Sequence, residues 1–157
     1  MNFLFLCTGN SCRSILSEAI FNARAPAGFS ACSAGSKPTG KVHPLTLKTL
    51  QNLGISTHGL SSKTMQDCEQ FNPQVVITVC GSAAAERCPL YLGKAIKAHW
   101  GLEDPSHLEV SEDEKMQAFM QTVEHINRRF DAFFALDLAH LSPEKLIVEI
   151  NKISEIA

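Results

Sequence analysis

A short apolar run joined by a seven-residue loop to an amphipathic helix is the feature that most constrains the fold of this chain. Residues 3–6 have the length and composition of a buried strand, and the apolar residues that follow Arg13 recur at helical spacing. The loop contains Gly9 and Asn10, the residue types that best tolerate a positive φ angle. Such a loop can turn its backbone N–H groups inward, and the N-terminus of the next helix adds partial positive charge. The chain therefore begins with a strand, an anion-binding loop and a helix.

Two chemically reactive side chains mark the ends of this loop. Cys7 follows the predicted strand, and Arg13 opens the helix. A guanidinium group can bind two oxygens of a tetrahedral oxyanion at once. We expect the same positive surroundings to lower the pKa of Cys7 and hold it as a nucleophilic thiolate. A cysteine after a strand is often only a small buried side chain, but this order of elements favours a nucleophile beneath an oxyanion cradle.

Length and composition indicate one compact domain, residues 1–157. The chain is 45% hydrophobic with a formal net charge of −2, which is typical of a globular protein and suggests no nucleic-acid or anionic membrane partner. No apolar segment reaches the ~20 residues that a membrane span requires, and the start does not resemble a signal peptide. The six cysteines are too sparse for a secreted disulfide framework. We therefore expect a cytoplasmic protein with reactive thiols.

Predicted strands and helices alternate along the chain. The further predicted strands cover residues 29–35, 74–79 and 95–100, and the further helices cover 44–53, 62–71, about 111–135 and 142–156. This alternation predicts an α/β fold with three layers, in which helices cover both faces of a four-stranded parallel sheet. Ligands bind at the carboxyl ends of such strands. Three side chains with useful chemistry should meet at that edge: Cys7, Cys80 and Asp104.

A stretch of small residues joins Cys80 to a second cysteine, Cys88. The spacing does not fit the usual zinc-binding pairs, and no histidine pair accompanies it. A redox pair agrees better with the position of Cys80, since it follows a strand that ends beside Cys7. Cys88 could also be an incidental thiol in a flexible loop.

The loop also carries a recognisable motif, Cys7-Thr8-Gly9-Asn10-Ser11-Cys12-Arg13-Ser14. It resembles the signature of the low-molecular-weight protein tyrosine phosphatase family, Cys-x-Gly-Asn-x-Cys-Arg-Ser, at every fixed position. The resemblance implies that Thr8, Gly9, Asn10, Ser11, Cys12, Arg13 and Ser14 form the oxyanion site. It further implies that Asn10 braces the loop and that Ser14 hydrogen-bonds the Cys7 sulfur. The shared core would end near residue 135, leaving the helix at 142–156 as an added packing element.

A later segment, His99-Trp100-Gly101-Leu102-Glu103-Asp104-Pro105, is similar to arsenate reductases built on the phosphatase fold. Ser106 and His107 stand where phosphatases usually have aromatic residues. The resemblance implies that Cys7 attacks arsenate, for which phosphate or sulfate are mimics, and that Asp104 protonates the departing oxygen. Cys80 would then attack Cys7 and release arsenite, and Cys88 would attack Cys80 and carry the disulfide outward.

The resemblance also bears on the electron donor and on metal binding. Seven residues lie between Cys80 and Cys88, whereas thioredoxin-coupled relatives commonly have six, so glutathione with glutaredoxin remains an alternative to thioredoxin. Some relatives bind potassium near the loop, and three of the four ligand positions match Asn10, Glu18 and Ser33. Lys63 falls at the fourth position, so its ammonium is expected to replace the metal. No tightly bound cofactor is expected.

Two classes of function follow from these observations. An oxidoreductase, acting as a monomer, requires Cys80 and Cys88 in addition to the loop. A phosphotyrosine or small-phosphate phosphatase requires only Cys7, Arg13 and Asp104. The missing aromatic residues after Pro105 favour the oxidoreductase. A simple oxyanion-binding module would leave Asp104 without a purpose. The remaining cysteines, Cys12, Cys32 and Cys68, are expected to serve packing or to be incidental.

Overall fold

The computed structural model describes residues 1–81, 92–107 and 109–157. Its centre is a sheet of four parallel strands in the order β2-β1-β3-β4. The strands are β1 (Asn2–Cys7), β2 (Ser30–Gly35), β3 (Val75–Thr78) and β4 (Ile96–His99). The predicted parallel sheet is therefore confirmed, and the strand ends lie within two residues of those expected. Because all strands run in one direction, their carboxyl ends share one edge, where Cys7 is the last residue of a central strand.

Helices cover this sheet in the predicted order, but one of them is a 3-10 helix instead of an α-helix. The α-helices are α1 (Arg13–Arg24), α2 (Pro44–Asn52), α3 (Glu112–Phe134) and α4 (Pro143–Ile153). The helix expected at residues 62–71 is a 3-10 helix, Met65–Phe71. It starts late because Thr64 and Asp67 form a capping box, in which each side chain accepts a hydrogen bond from the backbone N–H of the other. A shorter 3-10 helix, Pro105–His107, lies just after Asp104.

The core beside the sheet is aromatic. Phe3 and Phe5 of β1 point to one face, where they meet Phe21 of α1 and Phe130 and Phe133 of α3. Ring centroids are 4.8 Å apart for Phe3 and Phe21, and 5.1 Å apart for Phe3 and Phe133. All five rings are at most 1% exposed. The aromatic residues of α3 therefore belong to the core, and their packing anchors α1, which begins directly after the anion-binding loop.

The C-terminal helix packs against α3 and β4. Trp100, directly after β4, donates its indole N–H to the backbone oxygen of Ile150, at 2.9 Å. Arg129 of α3 is 4% exposed and donates through Nε to the backbone oxygen of Ile156, at 3.1 Å. The tail is thus tied to the segment that leads to Asp104. None of the helices in the described ranges is long and apolar enough to span a membrane.

Candidate active site

The loop between β1 and α1 turns its carbonyl groups outward. The carbonyl oxygens of Thr8, Gly9 and Ser11 each accept a hydrogen bond from the backbone of a neighbouring loop. The donors are the N–H groups of Lys37, Thr39 and His43, at 3.0, 3.0 and 2.9 Å respectively. The C=O and N–H of a planar trans peptide point in opposite directions, so the N–H groups of Gly9, Asn10 and Cys12 face the inner side. Asn10 enables this turn with a φ of 47°. The result is a nest of N–H groups suited to an anion.

Gly35 makes room for this loop. It ends β2 directly opposite Cys7, and an added Cβ atom would lie 2.4 Å from the carbonyl oxygen of Thr8 and 3.0 Å from Cβ of Asn10. Sequence reasoning interpreted Gly35 only as the end of a strand and missed this role. The available signal was a glycine at the carboxyl end of the strand that neighbours β1.

Cys7 and Cys80 are neighbours at the carboxyl edge of the sheet. Both are buried, at 5% and 4% exposure, and each is close enough to affect the ionisation of the other. The hydroxyl of Thr8, the residue after Cys7, lies 3.5 Å from the Cys80 sulfur. The expected meeting of these thiols at the sheet edge is therefore what the structure shows.

The expected lowering of the Cys7 pKa is wrong for this arrangement. Burial raises the pKa of the Cys7 thiol to about 11, because the loss of water outweighs the opposing effect of the Arg13 guanidinium. The neighbouring Cys80 raises this pKa further. Sequence reasoning counted the positive groups around the sulfur but had no measure of how completely the fold removes it from water.

Arg13 is held between the loop and Asp104. Its NH1 donates to the backbone oxygen of Leu102 at 3.1 Å, and its NH2 donates to Oδ2 of Asp104 at 3.3 Å. The other carboxylate oxygen of Asp104 accepts from the N–H and the hydroxyl of Ser106, at 2.9 and 2.6 Å. Arg13 Nε is buried and has no acceptor in the described part of the chain. A buried donor of this kind is normally satisfied, so Nε is available to an oxyanion in the loop.

A buried network supports the loop from behind; we call Asn10, Ser14, Glu18, Ser33 and Lys63 the brace network. The Asn10 amide donates to the Ser14 and Ser33 hydroxyls at 2.9 and 3.0 Å, and its oxygen accepts from the Lys63 backbone N–H at 2.8 Å. The Ser33 hydroxyl donates to Glu18 at 2.8 Å, and the Lys63 ammonium lies 3.4 Å from the same oxygen. Ser14 thus pairs with Asn10, in place of the contact to Cys7 that the resemblance implied.

The structure brings together the four residues of the suggested cation position, with the Lys63 ammonium against the Glu18 carboxylate. Within residues 1–81, 92–107 and 109–157, no group of three or more His, Cys, Asp or Glu side chains is arranged to hold a metal ion. If the Lys63 ammonium replaces a metal cation, removing the ammonium should leave a site that binds such a cation.

We therefore expect Lys63→Met to lower the free energy of unfolding by about 2 kcal/mol, because it leaves the largely buried Glu18 charge unpaired. Potassium chloride should then raise the melting temperature of the variant more than choline chloride does at equal ionic strength. The exposed Lys48 provides a matched control, Lys48→Met, which should show no potassium response. An equal potassium response in the unmodified protein would contradict the replacement.

The remaining expected residues have simpler surroundings. Cys12 is 4% exposed, and burial raises its pKa to about 12, in keeping with a packing role. His99 Nδ1 lies 2.7 Å from the Thr78 hydroxyl. Cys88 lies outside the described residues, so its part in an outward relay stays a prediction. Two further residues that sequence reasoning missed support the loop through their hydroxyls: Ser62 donates to the Gly9 carbonyl and Thr46 to the Ser11 carbonyl, at 3.1 and 3.0 Å.

Comparisons with known proteins show the family of this chain. Residues 2–145 match the low molecular weight phosphotyrosine protein phosphatase family. The arsenate reductases of Bacillus licheniformis and Bacillus subtilis are 33% and 32% identical over 129 residues, which is 82% of this chain and 91% of each relative. A solved arsenate reductase in its phosphate-binding state is 25% identical, with a TM-score of 0.64 over 81% of this chain and 94% of that one. An arginine phosphatase from Geobacillus stearothermophilus, 19% identical, shares the fold with a TM-score of 0.66 over 90% and 97% of the two chains. The chain described here belongs to the low molecular weight phosphotyrosine protein phosphatase family.

Proposed function

We propose that this protein reduces arsenate to arsenite through an adduct on Cys7. The observation that carries the proposal is that two buried thiols, Cys7 and Cys80, lie side by side at the anion-binding loop. A phosphatase needs a nucleophile, an oxyanion cradle and an acid, but it has no use for a second thiol against the nucleophile. A reductase needs that thiol to supply electrons. Relatives above 30% identity that are named arsenate reductases support the same reading.

The first step is substitution at arsenic. The inward N–H groups of the loop and Nε of Arg13 bind the arsenate oxygens. The Cys7 thiol loses its proton and its sulfur attacks arsenic, so that a sulfur–arsenic bond forms and an arsenic–oxygen bond breaks. Asp104 relays the thiol proton to the departing hydroxyl, which leaves as water. For this proton transfer Asp104 must release the Arg13 NH2 group, which frees a second donor for the oxyanion. The contact between Arg13 and Asp104 therefore represents the arrangement before substrate binds.

The second step transfers two electrons. Cys80 sulfur attacks the Cys7 sulfur, a disulfide forms, and the electron pair of the sulfur–arsenic bond passes to arsenic. Arsenic(V) becomes arsenic(III) and leaves as arsenite, while two thiols become one disulfide. The proximity of the two buried thiols supports this step.

The third step returns the disulfide to thiols. Cys88 attacks Cys80 and presents a Cys80–Cys88 disulfide to an external thiol donor, either thioredoxin or glutathione with glutaredoxin. A thioredoxin-dependent arsenate reductase from Corynebacterium glutamicum supports a thiol donor of this class. It is 26% identical and has a TM-score of 0.62 over 85% of this chain and 62% of that one. On this proposal the enzyme works in the cytoplasm, as a monomer, with no tightly bound cofactor.

Arsenite production by the purified protein tests the proposal. With arsenate present, we expect arsenite to form steadily with NADPH and either thioredoxin plus its reductase or glutathione, glutaredoxin and glutathione reductase. Cys7→Ser should abolish arsenite formation in both systems, because serine offers no comparable nucleophile. If neither system yields arsenite while an aryl phosphate is hydrolysed, the protein is a phosphatase. That alternative is favoured by the complete set of Cys7, Arg13 and Asp104.

A further inference from the structure

A second pair of thiols lies away from the proposed reaction. The sulfur of Cys32, in β2, is 2.8 Å from the sulfur of Cys68, in the 3-10 helix Met65–Phe71. Both cysteines are free thiols in this state. Their separation exceeds a disulfide bond length by only about 0.8 Å. Reduction of arsenate by Cys7 and Cys80 makes no use of either, so the contact needs its own explanation.

Backbone structure on both sides holds the two sulfurs in place. Cys32 pairs with Leu4 in the parallel ladder between β2 and β1. The segment that leads to Cys68 is fixed to the end of β2, because the Gly35 N–H donates to the Lys63 carbonyl at 2.9 Å. The capping box at Thr64 then sets the start of the 3-10 helix. The pair is therefore preorganised, and closing a bond requires little rearrangement of the chain.

The two thiols differ in access and in acidity. Cys68 is fully buried, whereas Cys32 is half-buried, so a reagent in solution reaches Cys32 first. The hydrogen bond from Cys68 and the nearby Lys63 ammonium lower the pKa of Cys32, and the same contact with Cys32 raises the pKa of Cys68. Cys32 is thus suited to attack and Cys68 to resolve, which is the division of roles in a dithiol couple.

We propose that Cys32 and Cys68 form a second redox couple, which low-molecular-weight disulfides such as oxidised glutathione convert to an internal disulfide. The Cys32 sulfur attacks one sulfur of oxidised glutathione, forms a mixed disulfide and releases one glutathione. The Cys68 thiol then loses its proton, attacks the Cys32 sulfur and releases the second glutathione. In sum, two protein thiols and one glutathione disulfide give one protein disulfide and two glutathione thiols.

The position of the couple indicates what the bond would do. The Cys32 and Cys68 sulfurs both lie near the Ser33 carbonyl oxygen, at 3.8 and 3.6 Å, and the Ser33 hydroxyl belongs to the brace network. A disulfide here ties the segment that carries Lys63 to β2 and so strengthens the support of the anion-binding loop. We expect oxidation to raise the melting temperature by roughly 5 °C, reversibly, since the bond closes a loop in the unfolded chain.

Mass spectrometry of a variant that keeps only two cysteines tests the couple. A variant carrying Cys7→Ser, Cys12→Ser, Cys80→Ser and Cys88→Ser retains only Cys32 and Cys68 and cannot reduce arsenate, so its outcome is independent of the proposed function. After treatment with oxidised glutathione, both thiols should resist alkylation, no glutathione should remain attached, and digestion should yield one peptide pair linked through Cys32 and Cys68.

The matched control adds Cys68→Ser to the same variant. Without the resolving thiol, one glutathionyl group should remain on Cys32. Glutathione retained to the same extent with and without Cys68, or no reaction at Cys32, would overturn the proposal. If circular dichroism shows that the variant is unfolded, the protein with all six cysteines is oxidised with oxidised glutathione and digested in the same way. A Cys32–Cys68 link there supports the couple, and its absence, or pairing of either residue with Cys7 or Cys80, refutes it.

Discussion

Cys80→Ser is expected to stop arsenate turnover while leaving hydrolysis of an aryl phosphate intact. The anion-binding loop, Arg13 and Asp104 are untouched, so Cys7 should still form and hydrolyse a phosphoryl adduct. Removal of the neighbouring thiol also removes a group that raises the pKa of Cys7, so hydrolysis should be equal to or faster than that of the unmodified protein. Arsenite release should fall at least ~100-fold, because an intramolecular attack is replaced by attack of an external thiol at millimolar concentration.

Rapid-quench analysis with one equivalent of arsenate checks this expectation. The unmodified protein should lose the Cys7 and Cys80 thiols together and release arsenite, whereas Cys80→Ser should retain arsenic on Cys7. Cys32→Ser is a suitable control, since it removes a thiol outside the proposed reaction and should turn over arsenate normally. Undiminished arsenite formation by Cys80→Ser with its best electron donor would show that the proximity of Cys7 and Cys80 has no catalytic use.

Gly35→Ala is expected to disable the anion site by displacing its loop, without altering any side chain that binds substrate. The new Cβ would meet the Thr8 carbonyl oxygen at 2.4 Å, and this is backbone that cannot rotate away. Relief requires the loop to move by roughly 1 Å, a displacement that can reduce the rate by about 10²-fold in a positioned site. We expect kcat/KM for an aryl phosphate to fall by about that factor, phosphate affinity to weaken in calorimetry, and stability to drop by about 1–3 kcal/mol.

Gly54→Ala separates the local effect from loss of stability. Gly54 follows α2 with a φ of +72°, so alanine there is strained and lowers stability by about 1–2 kcal/mol. Its added Cβ meets no atom within 4 Å. Gly54→Ala should therefore melt earlier but bind phosphate normally. Normal phosphate binding by Gly35→Ala would mean that the loop tolerates displacement and that Gly35 serves packing alone.

Local sequence patterns predicted most of the fold. The helical spacing in α3 and the serine caps before α3 and α4 depend on residues within a few positions of each other, and the structure has these elements where expected. The run at residues 74–79 indicated a buried parallel strand for the same reason. The segment at 62–71 differed, because a capping box inside it delays the start and favours a tighter helix. Such competition between neighbouring hydrogen bonds is hard to read from spacing alone.

The sequence by itself determined the nucleophile motif, the class of fold and the positions of Cys7 and Cys80 at or just after strand ends. Each of these depends on residues that are close together in the chain. Only the tertiary structure decided how these groups interact. The burial that raises the Cys7 pKa, the engagement of Arg13 by Asp104, the space that Gly35 leaves for the loop and the contact of Cys32 with Cys68 all join distant segments. Close side-chain distances and the exclusion of water set these effects, and both arise only when the chain is packed.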